Sequence, residues 1–519
     1  MQRSTILWAD DEIDLLKPHI LFLTEKGYDV TGVNSGADAV ECIQEKTFDL
    51  VFLDENMPGL TGLETLAEIK AIRPTVPVVM ITKSEEEHIM EEAIGAKIAD
   101  YLIKPINPNQ VLLSIKKLLD NRRLVEEKTN SAYQRDFRQL GMQLGDRMNP
   151  AEWADVYKKL VKWELDIDGT ENKSMAEVIT MQKDEANTAF ARFIEDEYEG
   201  WVNKEAKDRP LLSHDLFRER VFPLMKISTT PVYFVLIDNL RFDQWKTLEP
   251  HIAEYFTVDQ EETYYSILPT TTAYARNAIF AGMLPSEIQK RYPNLWVNDD
   301  DDDGKNLHEP EFLAINCQQN RVTDKFSYHK ITNLDAGKEL VRKLPNLQQN
   351  KLNVIVYNFV DMLSHARTDM AVIRELAADE SAYRSLTRSW FLHSPLFELL
   401  RGIAEKKGRV IITTDHGTIR VKRPVKIVGD RNTNTNLRYK HGKNLGFDER
   451  DVYTVRKPER LFLPKANVST AYAFARGDQF FAYPNNYNYY VNHYKDTFQH
   501  GGVSLEECII PYITLSPKG

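Results

Sequence analysis

The apolar run in "RVIITTDHGTIRV" stops at Asp415 and His416, an adjacent carboxylate and imidazole that can ligate one metal ion together. Taken alone, the run also reads as a buried parallel strand of β-branched residues followed by an Asp-Gly turn. Other segments supply company. "TTPVYFVLIDNLRFDQW" is a second apolar strand ending in Asp238, and "LNVIVYNFVDMLSHART" leads to Asp361, with His365 four residues on and on the same face of a helix. "TFQHGGVSLEECIIP" sets His500 before two glycines. In "SILPTTTAYARNAIFAGMLP" a proline and three threonines precede a helical run, so a threonine hydroxyl lies at a helix N-terminus, where N–H groups and the dipole favour an anion. Asp361, His365 and His500 make one candidate metal site; Asp238, Asp415, His416 and a threonine hydroxyl make another. Nitrogen and oxygen donors without thiolate suit Zn²⁺, and Mn²⁺ takes the same set. Two such ions about 4 Å apart stabilise the attacking and leaving oxygens of an in-line phosphoryl displacement, with a threonine as nucleophile.

A second acidic set lies near the N-terminus, with Asp10 and Asp11 after "TILWAD" and Asp54 ending "DLVFLD". Carboxylates gathered at one sheet edge repel unless a hard cation such as Mg²⁺ sits among them. Thr82 closes "VPVVMIT", and Lys104 follows "ADYLI" beside Pro105. These acids must be positioned by strands that alternate with helical patterns such as "GLETLAEIKAI", which predicts a five-stranded doubly wound α/β domain over residues 1–120. Amphipathic helices carrying Trp153, Tyr157, Trp163, Phe190, Phe193 and Trp201 follow over 121–207, and core packing is the expectation for that aromatic stripe. A second α/β domain is expected over 208–519, with its acid and imidazole clusters at the carboxyl ends of strands.

The chain has 519 residues, long enough for several domains, and a formal net charge of -11 from 66 basic and 77 acidic residues. That balance argues against general affinity for nucleic acid, and no helix-turn-helix with a basic recognition helix is visible, so duplex DNA is not an expected partner. The start "MQRSTILWADDE" lacks a signal-peptide core and no apolar run approaches ~20 residues, so a soluble cytoplasmic protein is expected, without a membrane partner. Cys42, Cys317 and Cys508 lie far apart without CxxC spacing, which leaves Asp and His as metal ligands.

"WADDE", "FLDENMPGLTG", "MITKSE" and "YLIKP" together resemble a two-component receiver domain. The resemblance implies Asp54 as phosphoryl acceptor, Asp10 and Asp11 with it around Mg²⁺, Thr82 and Lys104 on the acyl phosphate, and Tyr101 as the aromatic switch residue. The C-terminal clusters resemble the alkaline phosphatase superfamily, and "QHGGVSLEE" looks like its PglZ branch. A receiver, helical connector and PglZ-type domain in this order resemble the PorX-like response regulators of type IX secretion over the whole chain. In related nucleotide phosphodiesterases the nucleophile stands three residues after a proline and ten before a glycine, which selects Thr272, between Pro269 and Gly282, with Thr271 as runner-up. The resemblance further implies two zinc ions, a sensor histidine kinase as phosphodonor and a homodimer on phosphorylation.

Between His416 and His500, Arg420, Lys422, Arg423, Lys426, Arg431, Arg438, Lys440 and Lys443 are offset within their window only by Asp430, which suggests an extended anionic substrate. The tyrosines of "FAYPNNYNYYVNHY" suggest stacking on bases, so nucleotide or oligonucleotide phosphodiesters are expected, with Lys440 and His441 as substrate-binding candidates. "DDDDDGKNLHEPE" begins a calcium-loop pattern at Asp299, Asp301, Asp303 and Gly304 that fails at Pro310, and an exposed acidic loop is expected instead. The leading expectation is a phosphorylation-controlled zinc phosphodiesterase. The rival is a non-catalytic, metal-stabilised scaffold that binds a sigma factor or secretion component.

Overall fold

The computed structural model describes residues 4–83, 98–120, 136–137, 139–168, 173–297, 306–377, 379–429, 433–465 and 467–518. Asp299, Asp301, Asp303, Gly304, Asp430 and Arg431 lie outside the described residues. The chain divides into two compact units, Met1–Asp136 and Phe137–Gly519.

In the first unit, β1 (Thr5–Ala9), β2 (Asp29–Val33), β3 (Leu50–Asp54), β4 (Val78–Thr82) and β5 (Asp100–Ile103) form one sheet in the order β2-β1-β3-β4-β5. Every pair is parallel. All residues of β3 and β4 are buried, as expected for central strands covered on both faces. The strand order reverses between β1 and β3, and Asp10 and Asp54 stand at the carboxyl ends of that pair, where doubly wound sheets bind ligands. Thr61 caps the helix Gly62–Ile72 in a reciprocal box with Glu64. A Cβ on Gly62 would come 2.4 Å from the Asp54 carbonyl oxygen, so only glycine lets that helix start so close to the acidic edge.

The second unit is built on a mixed sheet in the order β7-β18-β10-β6-β9-β8. Its strands are β6 (Val232–Ile237), β7 (Phe256–Tyr265), β8 (Phe326–Ile331), β9 (Leu352–Tyr357), β10 (Arg409–Thr413) and the last strand, β18 (Ile509–Pro517). Between these last two come β11 (Ile419–Arg420), β12 (Arg423–Lys426), β13 (Tyr439–Gly442), β14 (Val452–Val455), β15 (Ala471–Ala475), β16 (Gln479–Ala482) and β17 (Phe498–Gln499) in small two- and three-stranded sheets. β10, β6 and β9 are parallel neighbours, so the segments that leave their carboxyl ends lie side by side. Those segments carry Asp415 with His416, Asp238, and Asp361.

The helices Pro150–Asp168 and Lys173–Val202 pack into the same core as this sheet rather than standing apart from it. Trp153, Tyr157, Trp163, Phe190 and Trp201 are buried, and the Tyr265 hydroxyl donates to the Pro150 carbonyl at 2.7 Å. A buried polar seam also joins them to it. Lys183 bridges Glu164 at 3.0 Å and Glu506 at 3.1 Å, Arg384 donates to Glu164 and Asp243 at 2.9 Å each, and Arg241 pairs with Glu380 at 2.6 Å. Among the described residues no helix is long and apolar enough to cross a membrane.

Candidate metal centre

Asp238, Asp415 and His416 are buried, with one ligand atom from each within 4.8 Å of the others, and Asp361, His365 and His500 form a second group on the same criterion. The His416 and His500 rings stack at 4.3 Å, so the two groups adjoin. In each, an imidazole is aimed by its far nitrogen. His416 Nδ1 lies 3.1 Å from the Gly417 carbonyl and His500 Nδ1 3.3 Å from the Thr270 carbonyl; both carbonyls only accept, so each Nδ1 carries a proton and each Nε2 is left to face the cluster. Burial pushes His416 down to about 4, which keeps that lone pair free at neutral pH. His500 is driven the other way: burial opposes its charge, but contact with Asp361 at 3.5 Å raises it. The same contact holds Asp361 below the usual carboxylate range against the effect of burial.

His365 Nε2 is 3.6 Å from Asp361 Oδ2, as the four-residue spacing on the helix Phe359–Asp369 requires, and its side chain is largely exposed. The loops are locked by close backbone approach. A Cβ on Gly417 would fall 2.0 Å from the Glu506 carbonyl oxygen, and Gly501, at φ +120°, occupies the left-handed region open to glycine. Ser266 donates to the Asp415 carbonyl at 2.7 Å.

The three threonines have three fates. Thr270 Oγ1 accepts from Gly501 N at 3.1 Å and donates to the Gly502 carbonyl at 2.9 Å, which ties the HGG turn in place. The Thr271 hydroxyl is buried without a hydrogen-bond partner among the described residues. Thr272 is half-buried, with Oγ1 3.1 Å from His416 Nε2 and 3.4 Å from Asp238 Oδ1. The structure thus brings Thr272, and not Thr271, to the cluster.

Arg276, fully buried one turn after Thr272, was not singled out by sequence reasoning. Its Nε donates to Asp415 Oδ2 at 2.9 Å and its Nη2 pairs with Asp238. Burial of two carboxylates beside one guanidinium raises Asp238 well above its usual range, while Arg276 holds Asp415 down against burial. The available signal was a charged side chain inside the largely apolar helical run "AYARNAIFAG".

Six of the basic residues expected to meet an extended anionic substrate are engaged within the protein, while Lys443 is exposed. Arg420 pairs with Asp496 at 3.1 Å, Lys422 with Asp184 at 3.5 Å, Arg438 with Glu507 at 2.6 Å and Arg423 with Asp478. Lys426 lies 5.1 Å over the Tyr487 ring. Lys440 is buried, donates to the Asn434 carbonyl at 2.7 Å and is pushed by burial down to about 7; His441 is buried with its ring 5.2 Å from Tyr472. Neither is a solvent-facing phosphate ligand. The tyrosine run forms the helix Tyr487–Tyr494, from which Tyr489 is exposed.

In the first unit, ligand atoms of Asp10, Asp11 and Asp54 lie within 4.8 Å of one another. Lys104 Nζ bridges Asp10 at 3.0 Å and Asp54 at 2.9 Å. Burial raises Asp54, against the pull of Lys104. The Thr82 hydroxyl donates to Glu55, next to the acidic set, and Tyr101 is 41% exposed on β5.

Residues 216–515 match the family described as the BREX system PglZ alkaline phosphatase-like domain, 123–202 the PorX response regulator linker domain, and 6–116 the response regulator receiver domain. The chain is 33% identical over 136 residues to the transcriptional regulatory protein ZraR of Escherichia coli O157:H7, covering 26% of this chain and 31% of that protein. It is 38% identical over 122 residues to the alginate biosynthesis transcriptional regulatory protein AlgB of Pseudomonas putida, covering 24% of this chain and 27% of that protein. The chain therefore spans less than a third of the length of these curated relatives. Among solved structures, chemotaxis protein CheY4 of Vibrio cholerae is 26% identical with a TM-score of 0.22, over 23% of this chain and all of CheY4.

Proposed function

Because the chain belongs to the PglZ alkaline phosphatase-like family, and carries a response-regulator receiver and a PorX-type linker ahead of that domain, we propose that its output is metal-dependent hydrolysis of phosphodiesters through Thr272. The observation that carries this reading is the hydroxyl of part-buried Thr272, within 3.4 Å of Asp238 and 3.1 Å of His416. The donor sets fit divalent ions: Asp361, His365 and His500 would hold one, and Asp238, Asp415 and His416 with Thr272 the other. Zn²⁺ suits these nitrogen and oxygen donors best. When bound, such ions supply Lewis acidity for the attacking and leaving oxygens.

The chain's own residues do the rest. Thr272 Oγ1 loses its proton to solvent and bonds to phosphorus while the bond to the leaving alkoxide breaks; that alkoxide takes a proton from water. Water then cleaves the ester formed on Thr272, which releases a phosphomonoester and restores the hydroxyl. Nucleotide or oligonucleotide diesters remain the substrate class, supported by the family and the exposed tyrosine helix rather than by the paired basic window. In the receiver, Asp54 accepts a phosphoryl group from a sensor histidine kinase, with Mg²⁺ held by Asp10, Asp11 and Asp54 and with Lys104, Thr82 and Tyr101 as the response elements. Phosphorylation favours a homodimer, and the PorX-type linker supports a place in the control of type IX secretion.

The test is kinetic. Thr272→Val keeps shape and leaves every Asp and His donor of both sets in place, so both ions should stay bound while kcat on an activated phosphodiester falls at least ~10³-fold. Thr271→Val should stay near wild type. Wild-type protein with full metal that hydrolyses neither diesters nor monoesters would favour the scaffold.

A further inference from the structure

We infer that Arg276 is the positioning residue of the centre, a buried fork that ties the ends of three adjacent strands into one frame beside Thr272. The inference rests on the two-ion reading above. Its Nε donates to Asp415 after β10 at 2.9 Å, and its Nη2 pairs with Asp238 after β6. Its Nη1 lies 3.4 Å from the Asn358 side-chain oxygen after β9 and 3.5 Å from Glu309. Each of its three nitrogens thus lies within 3.5 Å of a protein oxygen. Its side chain is wholly buried, so it offers nothing to a substrate phosphate and acts through the groups it holds.

The geometry explains why an arginine stands there. A planar guanidinium presents donors in fixed directions and reaches several acceptors at once, whereas an ammonium is a point charge on a flexible stem. Two carboxylates left alone at this depth repel each other, and the fork holds them in fixed directions. Asp238 keeps Oδ1 turned toward Thr272 and His416 while Oδ2 faces Arg276. Thr272 and Arg276 also share the turn Thr272–Arg276, so the same backbone carries the attacking hydroxyl and the clamp. Removal of such an outer partner typically costs 10–100-fold in metal affinity.

Arg276→Lys isolates the fork, because it keeps the charge and loses the shape. Wild-type and variant full-length protein, stripped with chelator and held in excess Mg²⁺ to occupy Asp10, Asp11 and Asp54, would be titrated with Zn²⁺ in equilibrium dialysis and with Co²⁺ followed by visible absorption. Wild type should bind two equivalents. Arg276→Lys should keep the equivalent held by Asp361, His365 and His500, bind the other at least ~10-fold more weakly, and show an altered Co²⁺ spectrum for that equivalent alone. Its kcat should fall further than its KM rises, with partial recovery in excess Zn²⁺. Two equivalents bound with wild-type affinity and spectrum would overturn the proposal while leaving the two-ion reading intact. Fewer than two in the wild type would overturn both. If Arg276→Lys does not fold, Asn358→Ala decides in its place: it removes one anchor and no charge, and should weaken the second equivalent by a smaller factor than the loss of the fork, with no change counting against the clamp.

Discussion

The two acidic edges of this chain are built alike and held differently. Each gathers aspartates at the carboxyl ends of neighbouring parallel strands, and each sets one basic side chain across two of them. In the receiver the bridge is Lys104, 13% exposed at the end of a flexible stem. In the C-terminal unit it is Arg276, with no exposure and a rigid fork. A lysine can release one carboxylate to meet an incoming phosphoryl group without disturbing the strand ends; a buried arginine paired with two carboxylates cannot. The difference teaches that the first edge is suited to change state and the second to hold one geometry through many turnovers.

That contrast can be broken most sharply by disabling each edge in turn. His500→Ala should remove one metal equivalent and lower phosphodiester turnover by ~10³-fold or more, because it deletes one of three donors. Asp54→Ala should leave basal turnover within a few-fold while abolishing the rise in self-association that a phosphoryl analogue with Mg²⁺ produces, as read by sedimentation. Equal losses of activity in the two variants would erase the division of labour.

Acid should separate the two units next. His214 and His416, both in Phe137–Gly519, are held near 4 by burial against an unfolded value near 6.5. The unfolded chain binds more protons in that window, so their contribution is present above about 6.5 and is lost as pH falls toward 4, at a cost of up to about 3 kcal/mol each in metal-free protein. Asp54 is raised, which gives the receiver the opposite slope just above the ordinary carboxylate range. Calorimetry of the metal-free chain should show the C-terminal transition falling from pH 7 to 5 while the receiver transition moves less. His214→Gln should flatten part of the slope, and parallel shifts would contradict the assignment. The smallest effect concerns the connector seam. Asn187 donates to Glu506 at 3.1 Å and accepts from Leu505 N at 2.8 Å, so Asn187→Ala should lower the stability of the C-terminal unit by about 2 kcal/mol in denaturant titration and leave the receiver unchanged.

What was legible in the sequence was chemistry fixed by local pattern. An apolar strand that must end and turn shows its last residue, so Asp54, Asp238 and Asp415 were readable, as was the helical spacing from Asp361 to His365. The doubly wound receiver followed from the same alternation. What was hidden depends on partners far along the chain. Arg276 meets Asp415 139 residues away, and nothing near Arg276 announces that contact. The basic window misled for the same reason: counted along the chain its charges have one acidic neighbour, but folding brings Asp184, Asp478, Asp496 and Glu507 to them. Lys440 and His441 lie on short β13, whose pairing with β15 buries both. Aromatic spacing did indicate that the connector helices are packed, yet it gave no sign of the ionic seam beneath them.

The claim that Thr272 attacks phosphorus is tested most directly by trapping its ester. Metal-loaded protein turning over an activated phosphodiester would be quenched in acid, digested and read by mass spectrometry. The account predicts substrate-derived phosphodiester mass on the peptide containing Thr272, located on that residue by fragmentation and absent from Thr272→Val. Wild-type turnover with the adduct on Thr271, or turnover undiminished in Thr272→Val, would contradict it.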